Sequence, residues 1–263
     1  MSLLNKVAIV TGGSRGLGRG IAIELASKGI RVAFTYVSAS SDKLASEVVQ
    51  EIEELNKTAG NQHSGPKAVA IRADVGDLNS HKLILSRTLE TFNTDKIDFL
   101  IHNAGVSTDQ LLEVITPEVF DKTVNINLKG LVFLTQEVVS HFAQNGRIIS
   151  VSSISSKAGF VGQTVYAATK AGVEGLTRVW ASELGRKYGI TVNCINPGPI
   201  ETDMWENVSP EFKTMVFNQY PPRSADRVAT IEDCASVVGL LVEEKARWIN
   251  GDVISCNGGA LMY

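Results

Sequence analysis

The sequence predicts an α/β fold, a doubly wound seven-stranded parallel sheet with helices on both faces. Three observations carry that expectation. Short β-rich runs alternate with segments of helical periodicity almost from end to end, a glycine-rich turn joins the first run to the first helix, and 263 residues with 44% hydrophobic content suffice for one large core. One domain spanning residues 1–263 accounts for the chain. Parallel neighbours need crossover connections, whose right-handed sense places helices on both faces.

The candidate strands are Val7 to Thr11, Arg31 to Tyr36, Ala68 to Ala73, Phe99 to His102, Arg147 to Ser152, Thr191 to Asn196 and Val253 to Cys256. Apolar residues recur at helical spacing in Gly18 to Lys28, Asp42 to Leu55, Pro117 to Phe142, Gln163 to Tyr188 and Ile231 to Val242. Thr116 before Pro117, and Thr230 three residues before Asp233, read as helix starts with a capping hydroxyl. The polar stretch Asn56 to Pro66 reads as an exposed loop. Asp203 to Arg223 is too long for a plain connection and reads as a substrate lid.

Composition narrows the function classes. A net charge of −3 carries no basic excess to attract nucleic acid, and no apolar run is long enough to span a membrane. The first ten residues lack the length and cleavage site of a secretory signal, so a cytoplasmic location is expected. Cys194, Cys234 and Cys256 lie far apart without a CxxC pair, and read as buried, reduced thiols. The four histidines His63, His81, His102 and His141 show no ligand spacing, so no metal is expected.

Thr11-Gly12-Gly13-Ser14-Arg15-Gly16-Leu17-Gly18 follows the first strand and opens the first helix. That is where a dinucleotide-binding fold presents backbone N–H groups to a pyrophosphate, and a Cβ would block the turn or the ligand. A glycine turn of this kind also occurs without a ligand. Gly12-Gly13-Ser14-Arg15-Gly16 matches the GxSxG nucleophile elbow too, but only one strand precedes Ser14 and no histidine follows His141 to complete a triad. At the end of the second strand, where an acidic residue would bind the ribose hydroxyls of NAD, stands Tyr36. The hydroxyls of Ser38 and Ser40 and the charge of Arg15 suit a 2′-phosphate, which favours NADP(H). The alternative is a solvated arginine with serines that cap the next helix.

Tyr166-Ala167-Ala168-Thr169-Lys170 sets a phenol and an ammonium four residues apart on a helix, so both project from one face. A nearby positive charge favours phenolate and brings the tyrosine towards proton exchange with a substrate oxygen. Ser153, at the end of the fifth strand, can hydrogen-bond the same carbonyl and align it for hydride attack. The pair Tyr166 and Lys170 alone is a weak signal; the upstream serine and glycine turn strengthen it.

With these motifs in order, the chain resembles the short-chain dehydrogenase/reductase family from Val7 to Gly258-Gly259, and among its members NADPH-dependent 3-oxoacyl reductases and fungal ketone reductases. The resemblance implies a single-domain Rossmann fold and an NADPH-dependent reductase of ketones or aldehydes. In it Ser153 orients the carbonyl, Tyr166 exchanges the proton, and Lys170 binds the nicotinamide ribose and lowers the tyrosine pKa. Asn127, in Asn125-Ile126-Asn127-Leu128-Lys129-Gly130, matches the fourth catalytic residue, which supports a relay water; Asn125 is its rival by proximity. Asn103-Ala104-Gly105 resembles the family's NNAG segment, with His102 where the family usually has Asn, and Asp74-Val75 matches the segment near the adenine. Pro197, Gly198, Ile200 and Thr202 match the PGxxxT stretch that meets the nicotinamide carboxamide. The resemblance also implies a homotetramer or dimer built on the long helices.

Other functions stay open at this stage: an NAD(P)-dependent alcohol dehydrogenase working oxidatively, a non-catalytic redox sensor, or a related epimerase, which usually carries a larger carboxyl-terminal domain. In the lid, Met204, Trp205, Phe212, Met215, Phe217 and Tyr220 point to an apolar carbonyl substrate. The same side chains could equally pack the lid onto the core. His102 reads as a packed or hydrogen-bonded imidazole.

Overall fold

The computed structural model describes residues 2–58 and 65–262. Its seven strands are β1 (Val7–Val10), β2 (Arg31–Tyr36), β3 (Ala68–Arg72), β4 (Ile97–His102), β5 (Phe142–Val151), β6 (Thr191–Pro197) and β7 (Val253–Cys256). They pair in parallel in the order β3-β2-β1-β4-β5-β6-β7. The chain winds outwards in one direction to β3, then crosses back and proceeds from β4 to β7, so the direction reverses between β1 and β4.

Helices cover both faces: α1 (Gly16–Ser27), α2 (Asp42–Thr58) and α9 (Ile231–Leu241) on one, and α3 (Asn79–Phe92), α5 (Gly130–Val138) and α6 (Thr164–Tyr188) on the other. The two-residue period of a strand divides β1 between them. Ala8 and Val10 join the α1 and α9 core, whereas Val7 and Ile9 join the α5 and α6 core. Every residue of β1 and of β4 is buried, as expected of central parallel strands sandwiched by helices.

Caps fall where the hydroxyls predict them. Thr116 accepts from Val119 N at 3.4 Å ahead of Pro117, and Thr230 and Asp233 form a reciprocal capping box. Other expectations need correction. The expected helix Pro117 to Phe142 is α4 (Pro117–Val124), a π-helical turn over Asn125–Lys129, and α5, after which Phe142 already pairs with Ile97 as the start of β5. Sheet pairing overrides helical periodicity there, and Asn145 takes a positive φ of 63° before the strand regains register at Arg147. Helix α3 was not foreseen. Asn56, Lys57 and Thr58 belong to α2, Gly65 and Pro66 are irregular chain, and residues 59–64 of the expected loop, with His63, lie outside the described residues.

Further differences concern burial. His81 is buried, its Nε2 2.8 Å from Val75 O, although its neighbours in sequence are polar. Cys194 and Cys234 are buried free thiols as expected, while Cys256 is half-buried. Asp203 to Arg223 is two helices, α7 (Asp203–Glu206) and α8 (Pro210–Gln219). No described helix is long and apolar enough to cross a membrane.

The glycine turn rests on this core. A Cβ at Gly13 would lie 2.5 Å from Phe34 Cβ, so the turn lies directly against that fully buried ring. Phe34→Ala should therefore destabilise the fold by about 3–5 kcal/mol, through lost burial and the cavity left beneath the turn. Urea unfolding will show a lowered midpoint; an unchanged midpoint would mean that the turn does not depend on this support.

Candidate active site

The carboxyl ends of β1, β2, β4, β5 and β6 open onto one edge, with a crevice at the reversal between β1 and β4, which is where ligands enter open α/β sheets. Thr11 closes the base of this crevice. Its hydroxyl accepts from Asn103 N and Ala104 N, both at 3.0 Å, while Asn103 Nδ2 donates back to Thr11 O at 3.0 Å and Gly12 O at 3.2 Å. Gly12 N is held by Thr35 Oγ1 at 3.0 Å. A Cβ at Gly18 would lie 2.1 Å from Gly12 O and 2.5 Å from Asn103 Nδ2, so only glycine lets the helix approach the turn. Thr11 and Thr35 were not singled out from sequence. A threonine flanking a glycine turn was the only available signal.

The turn fits a phosphate. Gly12 and Gly16 take positive φ (70° and 55°), Ser14 and Leu17 are buried, and no side chain caps the amino terminus of α1, which leaves its first amides for an anion. Arg15 stands at the N-cap position, 65% exposed, and its NH1 reaches Asp203 Oδ2 at 3.4 Å. After β2, Ser38 Oγ lies 2.7 Å from Ser40 Oγ and 3.0 Å from Ser41 Oγ, an exposed hydroxyl cluster. Burial raises the Tyr36 phenol pKa, and its hydrogen bond to Asp42 adds to that. Asp74 Oδ1 accepts from Gly76 N at 2.8 Å, while the Val75 side chain is committed to the core. Gly198 packs on Asn257, Ile200 bridges Ala229, and Thr202 caps α7, accepting from Trp205 N at 3.4 Å, with its methyl 3.5 Å from a Cβ built on Gly16. Pro197 ends β6 on the same edge.

The four expected catalytic residues converge at Gly105 and Tyr166. Asn127 sits in the π-helical turn, where departures from α-helix are common at functional sites. Its side chain pairs with the Val106 backbone, accepting from N at 2.8 Å and donating to O at 2.9 Å, and donates to Thr169 Oγ1 at 3.2 Å. A Cβ at Gly105 would lie 3.4 Å from Asn127 Oδ1 and 3.5 Å from Lys170 Nζ. Lys170 Nζ donates to Val151 O at 2.7 Å and lies 5.6 Å from the Tyr166 ring centroid. Burial lowers the lysine pKa to about 8. Ser153 stands beside the Tyr166 phenol, and its hydroxyl donates to Ser155 Oγ at 3.1 Å.

The electrostatics differ from the expectation that Lys170 would bring the tyrosine pKa down. Burial raises the Tyr166 pKa and the Asp109 carboxylate adds to that; only the Ser153 hydrogen bond opposes them. The phenolate is desolvated, and the ammonium expected to favour it is itself desolvated and turned to Val151 O.

The lid aromatics pack. Phe160 meets Phe212 (centroids 5.7 Å apart) and Tyr220 (5.3 Å), and Trp205 lies 6.3 Å from Phe217 with Lys213 Nζ over its ring. Trp205, Phe212, Met215 and Tyr220 surround a small core of Ile154, Ala158, Phe160 and Val216, which ties α7 and α8 to the segment after Ser153. His102 is buried, as expected. Thr135 gives its own proton to Leu131 O at 2.9 Å, so its oxygen accepts from His102 Nε2 at 2.8 Å, and burial lowers the imidazole pKa to about 3.

Known proteins share this arrangement of chain. The family model for enoyl-(acyl carrier protein) reductase matches residues 12–260. The chain is 40% identical to the short-chain dehydrogenase/reductase FrzI of a Cladobotryum species, over 98% of this chain and 96% of the relative. It is 37% identical to the 3-oxoacyl-[acyl-carrier-protein] reductase FabG of Staphylococcus aureus, covering 98% and 99%. Among solved structures, a blue fluorescent protein from a metagenomic library in complex with NADPH superposes with a TM-score of 0.88 at 34% identity, each chain covered in full (100%).

His102 generates a pH prediction. The unfolded imidazole binds a proton below about pH 6.5, whereas the buried one does so only near 3. Between those values the unfolded state holds the extra proton, so stability falls as pH drops, by up to about 1.4 kcal/mol per unit. His102→Asn should flatten that part of the stability profile measured by urea unfolding from pH 7 to pH 4; an equally steep profile would remove His102 as its source.

Proposed function

The chain belongs to the short-chain dehydrogenase/reductase family, and from that premise we propose that it is an NADPH-dependent reductase that converts a ketone or aldehyde to an alcohol. The observation that carries this reading is the placement of Ser153 and Lys170 beside the Tyr166 ring, with Asn127 and Lys170 meeting at Gly105, on the edge that holds the glycine turn. NADPH, when bound, supplies the hydride that goes to the carbonyl carbon. The amides of Gly16 to Gly18 would hold its pyrophosphate, and Arg15 with the hydroxyls of Ser38 and Ser40 its 2′-phosphate. Support for NADPH comes from the absence of a carboxylate at Tyr36 and from the NADPH bound in the structurally similar blue fluorescent protein.

Ser153 donates to the carbonyl oxygen and holds it in line. Tyr166 Oη donates to the same oxygen and delivers its proton as the alkoxide forms. A raised phenol pKa keeps that proton in place at neutral pH, which suits the reducing direction. Lys170 Nζ would turn from Val151 O to the nicotinamide ribose, and Asn127 fixes the Val106 backbone at the wall of the site. The apolar cover over the serine segment supports apolar ketones as the substrate class.

Oxidation of NADPH by a panel of ketones tests the reaction, and no turnover with any carbonyl would overturn it. Tyr166→Phe should lower the rate at least about 100-fold, with NADPH binding little changed. NADPH should exceed NADH in kcat/KM, and Tyr36→Asp should erode that preference; equal use of NADH by the unaltered chain would remove the assignment.

A further inference from the structure

Glu174 has no part in the reaction just described, yet it is a carboxylate only 4% exposed. It stands on α6 one turn beyond Lys170 and two beyond Tyr166, so the three share a face of the helix. Three donors converge on its Oε1: Ser152 Oγ at 3.0 Å, Ser156 Oγ at 2.6 Å and Asn196 Nδ2 at 2.7 Å. Its Oε2 faces Lys157 Nζ at 3.8 Å. Asn196, fully buried in β6, also donates to Ser153 O at 2.8 Å. The Ser152 hydroxyl lies 3.2 Å from Lys170 O, tying the same segment to the helix a turn earlier.

The network therefore joins three elements around one residue. Ser153 lies between Ser152 and the Ile154–Ser156 turn, both bonded to Glu174, and its own carbonyl is held by Asn196. A buried carboxylate is an expensive way to fill space, since an apolar side chain of similar volume is often as stabilising or more so. What it provides is an acceptor that can take three donors from two different strands' ends at once.

We propose that Glu174 is a positioning residue: with Asn196 it locks the serine segment onto the helix face that carries Tyr166 and Lys170, and so sets Ser153 against the phenol. This rests on the reading of Ser153 and Tyr166 as the pair that handles the carbonyl. Small misplacements of such groups are costly, about 100-fold for roughly 1 Å.

The substitutions Glu174→Gln and Glu174→Leu separate positioning from packing. Glutamine keeps an oxygen where Oε1 accepts its three bonds, and leucine removes it. The leucine variant should lose at least about tenfold in kcat, with ketone KM and NADPH Kd changed less than about threefold, while the glutamine variant stays within about threefold of the parent. The groups that face Tyr166 are Ser153, Asp109 and Lys170; those facing Glu174, besides its three donors, are Lys157 and Cys194. Displacing Ser153 from the phenol removes the influence that favours phenolate, so the alkaline limb of kcat should move to higher pH in Glu174→Leu. Should that variant fail to show a folded circular dichroism spectrum, Asn196→Ala, which keeps the carboxylate and severs the Ser153 link, is read by the same criteria. A lowered melting temperature with kcat and pH limb unchanged would overturn the proposal, as would a glutamine variant as impaired as the leucine one. Tyr166→Phe, measured in parallel, distinguishes the two failures. If it keeps the rate, the reading of the site is wrong; if it is inactive while Glu174→Leu matches the parent, only the positioning role falls.

Discussion

The clamp between Thr11 and Asn103 is the interaction on which the rest of the site depends. It joins the ends of β1 and β4, the two strands between which the winding reverses. One hydroxyl accepts two amides, and one carboxamide returns two bonds to the turn. With those bonds made, the glycine turn faces the crevice, and Gly105 comes to lie against Asn127 and Lys170. Side chains that hold backbone in this way are themselves committed: the Asn103 amide belongs to the turn before any ligand arrives.

The chain buries ionisable groups on the strand and helix that carry the site. Lys170, Glu174 and His102 are each at most 5% exposed. Their environments differ. His102 has a single hydroxyl partner and is held neutral, Lys170 keeps a carbonyl partner with its pKa drawn down to about 8, and Glu174 is surrounded by donors. In a low-dielectric site, each such group is either neutralised or pinned by hydrogen bonds, and pinned groups hold their geometry. The raised tyrosine pKa follows from the same burial, opposed locally by one serine.

The two short helices after β6 obey a different logic. Their aromatic side chains meet Phe160, from the segment just beyond Ser153, so the cover and the serine share a small core of their own. A cover packed this way walls the crevice and braces the segment that follows Ser153. Its charged link to the glycine turn, Arg15 with Asp203, is solvent-exposed and contributes little to holding it.

Much of this was legible in the residue order. Strand and helix alternation, caps at Thr116 and Thr230, the glycine turn, and the serine, tyrosine and lysine at their spacings are local signals, each written within a few consecutive residues. They determined the fold class and the family, and named the candidate site residues. What the sequence could not reveal depends on partners far away in the chain. Phe142 leaves the helical pattern because Ile97 offers it a strand to pair with, and helix α3 opens after Leu78 with no capping side chain to announce it, although His81, Ile84, Leu85, Thr88 and Phe92 face the core at helical spacing. Glu174 reads as one more polar position on a long helix until Ser152, Ser156 and Asn196 are brought to it. The tyrosine pKa was expected to fall because a cation lies one turn away, and it rises because packing buries the phenol and turns that cation to Val151 O. Spacing along a chain fixes which groups can share a face; desolvation and long-range hydrogen bonds, set by the tertiary structure, decide what those groups become.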